Sequence, residues 1–167
     1  KNLKSQIKSA VAQHNKNLKI FISLAADTNP DKPSYKKHST PLFEDYTFDN
    51  LVLGNANQMA YGATKQIAEN IHGSPYNPFI IYGNSGLGKT HLMQAAGHLA
   101  KEKDPSIKVL YVPLMDFVKN ITSSLRHNTI EDIKLYYQSA DLLLVDDIHF
   151  IAKKDKSQEE FFHIFNF

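Results

Sequence analysis

Five residues in a short span could do chemistry together: Gly83, Gly86, Gly88, Lys89 and Thr90, in the stretch "IIYGNSGLGKT" (80–90). Three glycines in six residues let a backbone approach something closely, and they let successive N–H groups turn inward as an anion nest. The spacing is G-x-x-x-x-G-K-[ST], set between an apolar run and a helical pattern. In that context Lys89 would put its charge on the β/γ-phosphates of a nucleotide, and the Thr90 hydroxyl would ligate Mg²⁺. The start of the following helix adds its positive end. The expected contact loop runs from Gly83 through Asn84, Ser85, Gly86 and Leu87 to Gly88, and on through Lys89 and Thr90 to His91. A bare glycine turn with an exposed lysine is the plainer reading, and the complete motif in this setting weighs against it.

A phosphate loop needs a partner for the metal. "LLLVDD" ends an apolar run in paired carboxylates, Asp146 and Asp147. On a buried parallel strand these would arrive at the same sheet edge as the loop. Asp146 is then the expected Mg²⁺ ligand, directly or through water, and Asp147 the group that orients or deprotonates an attacking water. Alone, such a pair could be a cap of the next segment and a solvated acid; after a phosphate loop, with one intervening strand, it reads as the second half of the site. No N-K-x-D guanine signature occurs, which favours ATP. The eight histidines never form H-E-x-x-H or another close metal pair. Ser85 in G-N-S-G-L-G has a superficial likeness to a nucleophile elbow, but the following G-K-T assigns the loop to phosphate. Phe161 and Phe165, one helical turn apart, read as a core face rather than a base-stacking platform.

The elements that must position these groups alternate. Helical stripes are expected over 55–71 (Met59, Ala63, Ile67 and Ile71 inward), 89–102 (Leu92, Ala95, Ala96 and Leu99 inward), 116–125 and 130–140. Apolar runs at 79–82, 108–112 and 141–147 read as buried strands, and a last helix opens after "KKDKSQEE". Strands separated by helices imply an α/β fold with a parallel sheet flanked by helices on both faces.

Upstream, 2–14 reads as one amphipathic helix and 18–24 as a strand, too little to bury a core of their own. They suggest the end of a small N-terminal domain, 1–24, followed by a polar, proline-bearing linker, 25–42, and the nucleotide-binding domain, 43–167. The chain starts at Lys1 rather than Met and stops on "FFHIFNF" without a helix-ending signal, as expected of a piece of a longer protein.

Of 167 residues, 42% are hydrophobic and 22% charged, the balance of a globular domain; no apolar run approaches a membrane span and no signal peptide opens the chain. The absence of cysteine excludes disulfides and thiolate metal sites and fits a reducing compartment. Net charge is +2, yet residues 1–41 carry +6, from eight lysines and two aspartates. A solvated lysine-rich linker explains such an arm; contact with nucleic acid or acidic lipid is the sharper alternative.

Longer stretches carry a family resemblance. "YTFDNLVLGNANQMAYGATKQIAEN", "YNPFIIYGNSGLGKTHLMQAAGH" and "LYYQSADLLLVDDIHFIAKKDKSQEEFFHIFN" resemble the bacterial replication initiators of the DnaA family over about 43–167, with "GLGKTHL" and "SQEEFFH" the most specific parts. The resemblance implies an AAA+ P-loop domain that binds ATP with Mg²⁺ and hydrolyses it slowly. It further implies assembly as a homo-oligomer on origin DNA in the ATP form, duplex opening, contact with the replicative helicase and with acidic phospholipids, and a cytoplasmic, nucleoid-associated location. By the same resemblance Leu51, Val52 and Asn57 border the adenine, and Lys156 and Thr122 fall where single-stranded DNA is contacted. His149 stands where that family usually has Gln, and Ile164 where Thr is common. Elements the family needs for turnover and duplex reading are not in these residues. A helicase loader or regulatory AAA+ paralogue is the nearest alternative, and a P-loop small-molecule kinase a more distant one.

Overall fold

A computed structural model describes residues 18–23 as backbone and residues 39–73 and 77–148 in full. In chain order the elements are β1 (Leu18–Ser23), α1 (Gln58–Glu69), a 3₁₀ turn (Ile71–Gly73), β2 (Phe79–Tyr82), α2 (Lys89–Lys103), β3 (Val109–Pro113), α3 (Leu114–Arg126), α4 (Ile130–Gln138) and β4 (Leu142–Asp146). The expected helices over 2–14 and after Glu160 lie outside the described residues.

The sheet order is β2-β1-β4-β3. β3 and β4 pair in parallel, Val109 opposite Leu142 through Pro113 opposite Asp146. β1 runs antiparallel to both neighbours, Ile20 facing Ile80 of β2 on one side and Val145 of β4 on the other. The three strands expected over 79–82, 108–112 and 141–147 run parallel to one another, and residues 18–23 add an antiparallel strand between β2 and β4. A strand not joined by a βαβ crossover is free to run either way, and this one pairs with the edges of both β2 and β4.

Alternation sorts the sheet side chains onto two cores. Leu143 and Val145 join Leu110, Val112, Phe117, Ile121, Ile133 and Tyr137 beneath α3 and α4. Leu142 and Leu144 join Ile81, Leu92, Met93, Ala96 and Tyr111 beneath α1 and α2. All of β4 is buried, as a central strand covered on both faces must be. Two cores on opposite faces make a three-layer α/β arrangement.

Helix α2 is small-sided where it crosses the sheet. A Cβ on Gly97 would lie 2.9 Å from Leu42, 3.0 Å from Leu144 and 3.2 Å from Val109, so glycine lets the helix seat deeply. The buried face of α1 is Thr64, Ile67 and Ala68, continued by Ile71, whereas Met59 is 89% exposed. The expected stripe was therefore out of phase at its start. Two residues before Phe43 also contact the body. The Thr40 N–H donates to the Tyr111 carbonyl at 2.8 Å, making an isolated bridge on the outer edge of β3. The Tyr136 hydroxyl donates to Ser39 Oγ at 3.1 Å.

Candidate nucleotide site

β2 and β4, each antiparallel to β1, are parallel to one another, so both release the chain at one rim of the sheet. Ligand sites of α/β sheets form at that carboxyl rim. β2 leads into the glycine loop, whose three glycines have φ of 153° (Gly83), 81° (Gly86) and 76° (Gly88). That region penalises any Cβ, so the loop conformation demands glycine by backbone strain alone. Gly88 is also the residue before α2, and a Cβ there would meet Leu51 Cδ1 at 3.0 Å.

The cleft under the loop has a volume of about 380 Å³ and is lined by Tyr46, Ser85, Gly86, Gly88, Lys89, Thr90, His91 and Asp147. Lys89 is buried, and its Nζ donates to the Asn84 carbonyl at 2.5 Å, tucked into its own loop. A cation surrounded by inward backbone and a helix start is an anion-binding arrangement. A larger cleft of about 610 Å³ lies by the N-terminal end of β3, among Ser39, Lys101, Lys108 and Tyr136. Being on the opposite rim, it is separate from this chemistry.

The acidic pair divides its labour. Asp146 ends β4 almost completely buried, at 3% exposure. Its Oδ1 accepts the Asp147 backbone N–H at 2.7 Å, and its Oδ2 accepts the Tyr111 hydroxyl at 3.2 Å. Asp147 has φ of 58°, a left-handed conformation that Asp tolerates better than most residues, and it reaches the cleft. Backbone held in that region at a cleft is a mark of functional geometry.

Among the described residues no cluster of three or more His, Asp or Glu could cage a metal. Mg²⁺ rarely uses such a cage. It takes one or two protein oxygens and completes its octahedron with waters and substrate phosphates. Thr90 in the cleft and Asp146, buried next to the cleft-lining Asp147, fit that requirement.

Other expected residues fall in different places. Leu51 packs on Gly88, beside the loop. Asn57 braces the turn before α1: its Oδ1 accepts the Gly54 N–H at 2.9 Å and its Nδ2 donates to the Val52 carbonyl at 2.9 Å. Val52 itself is exposed, and neither it nor Asn57 lines the cleft. Thr122 is exposed on α3, its hydroxyl donating to the Val118 carbonyl at 2.8 Å. Lys156 lies outside the described residues. Tyr46 was not among the expected residues, although it lines the cleft and stacks on His91. Its only local signal was an aromatic in a polar loop.

A strand, a glycine loop cradling a buried lysine, a helix and an acid pair at the next parallel strand end define a P-loop α/β domain of the AAA+ type. Residues 42–167 match the family described as the bacterial DnaA ATPase domain. The chain belongs to that family. AMPPCP-bound DnaA from Aquifex aeolicus superposes with a TM-score of 0.69 at 45% identity, covering 75% of this chain and 38% of that one. Domain III of the Thermotoga maritima replication initiation protein DnaA gives a TM-score of 0.70 at 37% identity, covering 76% and 52%. A replication initiator DnaA bound to AMPPCP and single-stranded DNA gives 0.68 at 43%, covering 75% and 38%. The chain thus spans between about a third and a half of these structures.

Proposed function

We propose that this chain is the ATP-binding part of a bacterial replication initiator, in which nucleotide occupancy governs assembly on origin DNA. The observation that carries the reading is the convergence of Lys89, Thr90 and Asp147 on one cleft within the family-matched span. The loop N–H groups and Lys89 bind the phosphates, with Leu51 at the border of the base. Thr90 and Asp146 would hold Mg²⁺, which when bound supplies charge neutralisation on the phosphates. Asp147, aimed by its left-handed backbone, orients the water for slow hydrolysis that ends the active form.

The rest of the reading concerns the whole protein. In the ATP form it assembles as a homo-oligomer on origin DNA, helps open the duplex and engages the replicative helicase. Thr122 and Lys156 meet single-stranded DNA, a role supported by the likeness to an initiator bound to it. The lysine-rich arm before Pro41 is suited to acidic phospholipid, and the protein works in the cytoplasm at the nucleoid. The test is oligomer formation by the full-length protein on origin DNA with ATP against ADP. Assembly is expected with ATP alone, and equal assembly with both nucleotides overturns the switch. Asp147→Ala is expected to keep ATP binding and lose turnover.

A further inference from the structure

Asp146 is held from two sides, and one of its holders belongs to neither recognised motif. Tyr111 sits on β3, buried, one strand over from Asp146 and on the α2 face of the sheet. Its hydroxyl donates to Asp146 Oδ2 across 3.2 Å, while Oδ1 takes the N–H of Asp147. With one oxygen tied to main chain and the other to a phenol on a rigid strand, the carboxylate has a single orientation.

Tyr111 is itself braced. Its carbonyl accepts the Thr40 N–H. Gln94 on α2, fully buried, lies beside the phenol, and its Oε1 accepts the Phe43 N–H at 2.8 Å. The Gln94 amide thus lies between the Phe43 N–H, which its Oε1 accepts, and the Tyr111 phenol. Residues 40–43 therefore bond the Tyr111 main chain at one end and the Gln94 side chain at the other.

We infer that Tyr111 is a positioning residue for the metal-binding carboxylate of Asp146, braced by Gln94 and residues 40–43. The inference rests on the reading of Asp146 as the Mg²⁺ ligand. Partners that orient a ligating carboxylate commonly change metal affinity by about 10–100-fold when removed. Tyr111→Phe deletes only the hydroxyl, keeping the ring and the strand.

The experiment is a Mg²⁺ titration of ATP binding by the full-length protein, followed calorimetrically, with binding in EDTA measured alongside. Tyr111→Phe should raise the Mg²⁺ concentration for half-maximal effect about tenfold, with ATP affinity in EDTA unchanged. Tyr137→Phe is the matched control, a buried tyrosine on the opposite core that does not touch Asp146; it should leave the Mg²⁺ dependence unmoved. All variants are compared at a temperature where each retains its native near-ultraviolet circular dichroism. An unchanged Mg²⁺ half-point in Tyr111→Phe, with a shifted one in Asp146→Asn, overturns the inference and leaves the metal reading standing. An unchanged half-point in Asp146→Asn overturns the metal reading itself. Equal shifts in Tyr111→Phe and Tyr137→Phe mean a general loss of packing, and that also overturns the inference.

Discussion

The Tyr46 ring lies flat on the imidazole of His91, with centroids 4.9 Å apart and planes 11° from parallel. The His91 Nε2–H donates to the Thr47 carbonyl at 2.6 Å, so the ring is fixed by stacking and by a hydrogen bond at once. His91 follows Thr90 in the first turn of α2, and the contact therefore clamps the incoming loop over the phosphate cleft. A stacked pair contributes about 0.5–1.5 kcal/mol beyond area burial, and a net hydrogen bond about 1 kcal/mol. His91→Ala should cost about 1–2.5 kcal/mol in urea denaturation and weaken ATP binding several-fold by calorimetry. His91→Gln, which can restore the donor but not the stack, should fall between.

Lys89 is the cation of the loop. Its Nζ now rests on the Asn84 carbonyl, and a phosphate oxygen is a stronger acceptor than a neutral carbonyl. Lys89→Ala removes charge-assisted bonds of about 3 kcal/mol, and the ATP Kd should rise about a hundredfold. A calorimetric Kd within twofold of the parent would remove the loop from the binding site.

Gly88 combines two constraints, φ of 76° and a neighbour 3.0 Å from any Cβ. Gly88→Ala should destabilise the fold by about 1–2 kcal/mol through the left-handed penalty alone. Because Leu51 must yield as well, nucleotide affinity should fall together with stability, measured on the same preparation by calorimetry and denaturation.

The phase of α1 gives a sharp contrast. Ile67 is 2% exposed and Met59 is 89% exposed. Ile67→Ala should cost about 2–4 kcal/mol in chemical denaturation, and Met59→Ala less than about 0.5 kcal/mol.

High pH should act through the buried phenols. Burial pushes Tyr111 and Tyr137 upward, aided by Asp146 at the first and opposed at the second by the Asn120 side chain, which donates to the Tyr137 hydroxyl at 2.9 Å. Unfolded tyrosine ionises near pH 10, so above that the unfolded chain loses protons that the folded one retains. This contribution to stability is complete below about pH 10 and declines as pH rises further. Denaturation across pH 9–11 should show a shallower alkaline fall in Tyr137→Phe than in the parent.

Much of the site could be read from the chain because its chemistry needs adjacent residues. A nest of N–H groups, a lysine and a hydroxyl must come from one turn, so Gly83 to Thr90 carry their own signal. The acid pair is legible for the same reason, as it ends a run that only a buried strand would tolerate. What escaped reading arrives through tertiary contacts. Tyr46 reaches the cleft from a loop over forty residues away, and Tyr111 and Gln94 look like ordinary members of a strand and a helix. The α1 stripe was misread because the apolar residues Met59, Ala60, Tyr61 and Ala63 offer two overlapping faces. A threonine, Thr64, holds the centre of the true one. The alternation in 18–24 does announce a strand, yet local pattern carries no information about its partners.

Those partners give β1 a role of its own. The two strands that deliver the loop and the acids are not neighbours; β1 keeps them two lanes apart, about 9.5 Å at ordinary strand spacing. β1 is thus the spacer lane between the strand that ends at the glycine loop and the strand that ends at Asp146. It also lies outside the span 42–167 that carries the family likeness. The glycine loop and the acid pair both lie within residues 42–167, which match the family, whereas the strand seated between β2 and β4 comes from outside that span.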